Sequence, residues 1–289
     1  MAELDTVPAS VVIDLVVSFR HPRFWPASRT VLLKAYERGD ELAISGMPPA
    51  AFRRLLQGFL TRAAGVGAGR LQEALEYLDY PEATADQRAC EAYTMQTTGL
   101  PIPDERLEHM VAAAPETPGP WLLCTGAYAA DEGRWTDHAA AVETLNNAAT
   151  ESLASGGSAS SRFLIANARV LEGYGRLRRG DAQAAIPLIE ASYADASPPL
   201  GRMRLARWWL AQAYLEAGRP ADAVTFLRSF WISPVGASFY VLGQTLEELG
   251  EDEEAVAAYE DFVAAWEGAD PEVQYMVDDA RARIGALRR

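Results

Sequence analysis

Apolar residues recur along this chain at spacings of three and four, the period of a helix with one buried face. Over 202–217, Met203, Ala206, Leu210, Ala213, Tyr214 and Ala217 fall on one side, and over 253–266 Val256, Tyr259, Val263 and Trp266 do the same. Short runs rich in Pro, Gly or Ser punctuate the helices: "PETPGP" (115–120), "SPPLG" (197–201) and "SPVGAS" (233–238). "ASGGSASS" (154–161) predicts a longer flexible connection. The β-branched run "VVIDLVVSF" (11–19) has the composition of a strand, but no second strand exists to pair with it. Pro8 and Ser10 before it suit a helix start, so helix is predicted there and the fold class is all-α.

The helices also repeat. "LAQAYLEAGRPADAV" from Leu210 and "LGQTLEELGEDEEAV" from Leu242 spell one hairpin twice. A small residue followed seven positions later by Gly occurs at Gly126/Gly133, Gly173/Gly180, Ala211/Gly218 and Gly243/Gly250. The first member lets two helices approach closely; the later Gly takes the left-handed conformation that ends the first helix. Ala185, Ala223 and Ala255 stand five residues beyond the last three glycines, where the second helix crosses the first. The first copy has His138 at that place and Ala139 next to it, which predicts a turn longer by one residue. The acids of "GEDEEAV" fall on the first turn of the second helix, at the positive end of its dipole.

These residues resemble the tetratricopeptide repeat family. The best match covers 239–271, with Phe239, Leu242, Gly243, Leu246, Gly250, Ala255, Tyr259, Phe262 and Pro271 in the family's pattern. The copy before it supplies Leu210, Ala211, Tyr214, Gly218, Ala223, Leu227, Phe230 and Pro234. Earlier copies depart from the pattern, with Glu172 and Arg176 at expected apolar places and turn-glycine spacings of 47, 38 and 32. The tail "YEDFVAAWEGADPEVQYMVDDARARI" is similar to tetratricopeptide segments that bacterial Ser/Thr kinases and transcription regulators carry. The resemblance implies a right-handed superhelical solenoid of antiparallel hairpins. About four hairpins and a C-terminal capping helix would occupy 121–289. Residues 1–120, with "KAYERGDELAI" and with Gly58 and Gly65 seven apart, would add degenerate helical pairs behind a cap over 1–25.

Charge narrows the partners. The net charge is −14 and the pI near 4.7, so a polyanion is repelled and nucleic acid is excluded as a general ligand. Direct membrane insertion is excluded too, because "VVIDLVVSF" is short and carries Asp14. The acidic N-terminus lacks the basic region of a secretory signal, and a cytoplasmic location is expected. Lys34 is the single Lys among 26 basic residues and hence the sole candidate for Schiff-base chemistry. Cys90 and Cys124 have neither metal nor redox spacing and are expected as reduced core residues.

Candidate chemistry is thin. "GVGAGR" (65–70) is the nearest approach to a phosphate loop, but it follows a helix and lacks the closing Lys-Ser/Thr. His21, His109 and His138 are scattered without ligand spacing. Asp278 and Asp279 are adjacent, so on a helix they diverge by about 100°. No catalytic residue, cofactor or metal is therefore expected. The family places its ligand contacts on the first helix of each pair. Here that implies Asn167, Val170, Tyr174 and Arg178, then Leu205, Trp208, Gln212 and Leu215, then Tyr240, Gln244 and Glu247. Arg162, Arg169 and Arg176 form a stripe seven apart that suits an acidic peptide or plain solvent. Family members that grip C-terminal carboxylates use Lys and Asn at such points, so near-absence of Lys predicts another mode. The expected function is a non-catalytic scaffold or adaptor for a protein or peptide, within or outside a larger complex. The alternative is a sensor or enzyme with a pocket in the N-terminal half, near "FRHPRFW" (19–25) with His21 and Arg23.

Overall fold

The computed structural model describes residues 25–40, 48–113, 121–195, 204–229 and 236–289. "VVIDLVVSF", "PETPGP" and "SPPLG" lie outside them, as do His21 and Arg23 and all of the expected cap but Trp25. The described residues form helices and no strand. In chain order these are α1 (Trp25–Glu37), α2 (Pro49–Arg62), α3 (Leu71–Leu78), α4 (Ala85–Thr97), α5 (Asp104–Ala112), α6 (Leu122–Asp131) and α7 (Trp135–Ala154). There follow α8 (Ser158–Arg178), α9 (Ala182–Asp195), α10 (Arg204–Glu216), α11 (Pro220–Arg228), α12 (Gly236–Glu248), α13 (Asp252–Ala265) and α14 (Gln274–Leu287). A π-helical turn, Ala63–Gly67, continues α2. No described helix is long and apolar enough to cross a membrane.

Backbone contacts group the chain into two units. Unit 1 takes the described residues within Met1–Thr84, together with Met95–Pro103 and Arg228–Arg289; unit 2 takes Ala85–Thr94 and Asp104–Leu227. Within unit 2, α6 packs on α7 and α8, α7 on α8, α8 on α9, and α9 on α10, so neighbours in sequence are neighbours in space. Within unit 1, α1 packs on α2, α2 on α3, α12 on α13 and α13 on α14, while α12 also meets the π-helical turn.

Four helix ends share one geometry. Gly133, Gly180, Gly218 and Gly250 have φ of +69°, +79°, +69° and +75°. At Gly218 the N–H donates to Leu215 O at 3.0 Å, and the next N–H, of Arg219, donates to Tyr214 O at 2.8 Å. The same pair of bonds recurs at the other three glycines. It satisfies two of the carbonyls that a helix end leaves bare, and it demands a left-handed residue.

The crossings follow the same rule. A Cβ on Gly126 would lie 2.8 Å from that of Ala141, one on Gly173 2.6 Å from Ile189, and one on Gly243 2.6 Å from the Tyr259 ring. Ala185, Ala223 and Ala255 are fully buried.

Three local expectations are corrected. The first hairpin has no longer turn, since Gly133 ends α6 in the common way and His138 itself occupies the crossing position. Its imidazole fits there because Gly175 opposite has no side chain. The run "ASGGSASS" is no long linker: α7 continues to Ala154 and α8 begins at Ser158, with only Ser155–Gly157 between. Gly58 and Gly65 do not make a hairpin either. Gly58 is buried inside α2 and Gly65 inside the π-helical turn, and the left-handed residue comes later, at Gly69 with φ +66°.

Candidate functional site

In unit 2 the expected contacts Tyr174 and Arg178, one turn apart on α8, converge on Asp131 at the end of α6. The Tyr174 hydroxyl donates to Asp131 Oδ1 at 2.6 Å, and Arg178 Nε lies 2.7 Å from the same oxygen. Tyr93, on α4, donates to Asp131 Oδ2 at 2.8 Å. The Tyr174 ring stacks on Trp209 of α10 with centroids 4.1 Å apart, and Trp209 is fully buried. Burial above all, then the neighbouring Asp131 carboxylate, raises the Tyr174 phenol pKa; burial leads the upward shift at Tyr93 as well. A phenol shifted this way is a weaker acid, so both rings act as hydrogen-bond donors that saturate the carboxylate. Sequence reasoning missed Tyr93 and Asp131, whose partners lie on other helices.

The remaining unit 2 residues separate by exposure. Asn167 is buried and turns its Nδ2 back to Phe163 O at 2.9 Å. Val170, Leu205 and Trp208 are buried as well, whereas Gln212 and Leu215, on the last two turns of α10, are half-exposed. In the arginine stripe Arg162 and Arg176 are exposed and Arg169 is half-buried. Tyr214, next to this face, donates to Glu190 of α9; burial, then that bond, pushes its pKa up to about 12.

Unit 1 has a related cluster around Tyr240. Its hydroxyl donates to Asp279 Oδ2 at 2.6 Å, and Arg283 Nε donates to the same oxygen at 2.6 Å. Arg283 Nη1 also reaches Glu247 Oε2 at 2.9 Å, where the Tyr259 hydroxyl donates at 2.9 Å. The Tyr240 bond, then Arg283, holds Asp279 below the usual carboxylate range. Asp278, its neighbour in sequence, is exposed and pairs with Arg281, so the two acids diverge as the helical period requires. Tyr240, Gln244 and Glu247 are half-exposed along α12. An open hollow of about 330 Å³, lined by Asp252, Glu253, Val256, Leu287 and Arg288, lies elsewhere in this unit.

The other candidates resolve into structure. After the π-helical turn, "GVGAGR" meets the segment that follows α13: a Cβ on Gly69 would lie 2.8 Å from the Trp266 ring, and Gly69 O accepts the Asp270 N–H at 2.9 Å. Asp270 Oδ2 then accepts the Gln72 N–H at 2.8 Å, at the start of α3. A carboxylate of the chain itself thus sits where a phosphate loop would hold its anion. Lys34 pairs with Glu37 at 3.0 Å along α1. His109 is exposed on α5, and His138 is buried with its Nδ1–H donating to Gly126 O at 2.9 Å. Among the described residues no group of three or more His, Cys, Asp or Glu gathers as metal ligands would.

The cysteine expectation is overturned. Cys90 of α4 and Cys124 of α6 form a disulfide, with Cα atoms 5.1 Å apart. Their 34-residue separation carried no such signal. No protein-family model matches the chain, and no curated protein matches it.

Proposed function

We propose that this chain is a non-catalytic scaffold of tetratricopeptide-like hairpins that holds a protein or peptide against the first helix of each pair. The carrying observation is the repetition itself: one doubly bonded glycine turn in four copies, each seven residues after a small residue, which at Gly126, Gly173 and Gly243 lies in close contact with a neighbouring helix and at Ala211 is buried. Such construction makes stiff helical pairs, and a stiff surface loses little conformational entropy when it captures an extended ligand. Contact would fall to the half-exposed members of the expected set. These are Gln212 and Leu215 in unit 2, and Tyr240, Gln244 and Glu247 in unit 1, with Arg178 exposed beside Asp131. Trp208 and Asn167 are buried and would support them from beneath.

The test is affinity capture from the native host with the wild-type chain, beside Gln212→Ala/Leu215→Gln and Gln244→Ala. These positions are half-exposed, so melting temperature and far-UV circular dichroism should hold. Loss of one specific, saturable partner in either variant is the expected result. An unchanged partner list in folded variants overturns the assignment of contacts to the first helices.

A further inference from the structure

We propose that Cys90 and Cys124 form a thiol-modification site, a reversible dithiol–disulfide pair that staples α4 to α6 inside unit 2 and responds to low-molecular-weight disulfides. The two sulfurs are bonded, and the 5.1 Å Cα separation falls within the range such bridges span. What makes the bridge reversible is that packing, not the bond, brings the sulfurs together. Cys90 and Tyr93 are three residues apart and share a face of α4; Cys124 and Asp131 are seven apart and share a face of α6. The Tyr93–Asp131 hydrogen bond therefore ties the same two faces at a second point, at 2.8 Å. Ala89, Ala92 and Tyr93 of α4 are buried, and the Tyr93 ring meets Tyr128 of α6 edge-on with centroids 6.4 Å apart, so α4 stays docked with both thiols reduced.

The chemistry balances with one small disulfide. Cys124 is 1% exposed and Cys90 9%, so Cys90 is attacked or attacks first. Its thiolate displaces one half of the small disulfide and forms a mixed disulfide. The Cys124 thiolate then attacks the Cys90 sulfur and expels the other half as a thiolate. One protein disulfide forms, one small disulfide is cleaved, and the two protons lost by the cysteines balance the two small thiols released. Excess small thiol runs the sequence backwards.

The experiment uses the full chain in buffers of graded reduced to oxidised glutathione, quenched with acid, alkylated and weighed intact. Expected is a single transition from two alkylated thiols to none. The oxidised form should melt roughly 5 °C higher, from closure of a loop of this length in a chain of this size. Hydrogen exchange should slow on oxidation over 85–94 and 122–131. Cys90→Ala/Cys124→Ala should keep the helical spectrum of the reduced protein and lose every response to glutathione. Tyr93→Phe, which removes the second tie, should move the transition towards more oxidising buffer, a shift that a merely stabilising tyrosine would not cause. Thiols that alkylate at every ratio overturn the proposal. So does a bond that excess reduced glutathione leaves intact in the folded protein, or a melting temperature indifferent to the thiol state.

Discussion

At Gly218 nothing lies within 4 Å of where a Cβ would be, so only the backbone objects to a side chain there. With φ at +69°, Gly218→Ala should cost about 1–2 kcal/mol, the left-handed penalty of an L-residue. Gly285 is the converse: it is exposed inside α14, has open space around it, and Gly285→Ala should stabilise by about 0.5–1 kcal/mol. Chemical denaturation of the two variants gives opposite signs, and equal signs would contradict the assigned conformations. His138 adds a pH term. Burial foremost lowers its pKa; Arg179 adds to that, while the bond to Gly126 O and the nearby Glu172 oppose it. Trp135 covers the ring edge with centroids 6.2 Å apart. The unfolded chain has the ordinary histidine value of about 6.5 and takes up a proton there that the folded state refuses. Stability from this residue is therefore fully present above about pH 6.5 and is lost as pH falls below it, until the lowered folded pKa is passed. Denaturant midpoints at descending pH should show that loss in the wild type, and His138→Ala should flatten it.

At the scale of the helix pair, Gly243 joins sequence to packing. Alanine is the better helix former by about 1 kcal/mol, yet a Cβ here meets the Tyr259 ring at 2.6 Å. That ring is fully buried and bonded through its hydroxyl to Glu247, so it cannot swing away. Overpacking of this kind costs about 1–3 kcal/mol, and Gly243→Ala should destabilise despite its helix propensity, as calorimetry can read. The difference between Gly285 and Gly243 marks what the chain discloses. Turn glycines, crossing alanines and the diverging Asp278 and Asp279 were legible because each depends on neighbours within a turn or a hairpin. Asp131, Tyr93 and the Cys90–Cys124 bridge were not, because each takes its meaning from a helix tens of residues away. His138 misled for a related reason: its fit depends on the absent side chain of Gly175, 37 positions on. Of the contact set that the family resemblance implied, Trp208 is buried and Gln212 half-exposed, a difference set by packing against other helices and so not carried by the local sequence.

Across the whole chain, unit 1 joins segments from both halves of the sequence. Its seam is short and specific: Gly69 against Trp266, Gly69 O to Asp270 N–H, and Asp270 Oδ2 to Gln72 N–H across 198 residues of sequence. Asp270 does for α3 what an N-cap side chain does, since Arg70 at that position makes no side-chain cap. Asp270→Ala should therefore cost about 1 kcal/mol, with faster hydrogen exchange in the first turn of α3, far from the substitution in sequence. Ending the chain at Ala265 is the stronger test, because it removes the buried Trp266 ring as well. Amides of α2 and α3, including the buried Leu60, Leu75 and Leu78 positions, should then lose protection although none of them has been altered. If instead α3 keeps its protection in the shortened chain, the N-terminal helices stand without the C-terminal segment, and the seam is a contact rather than a support.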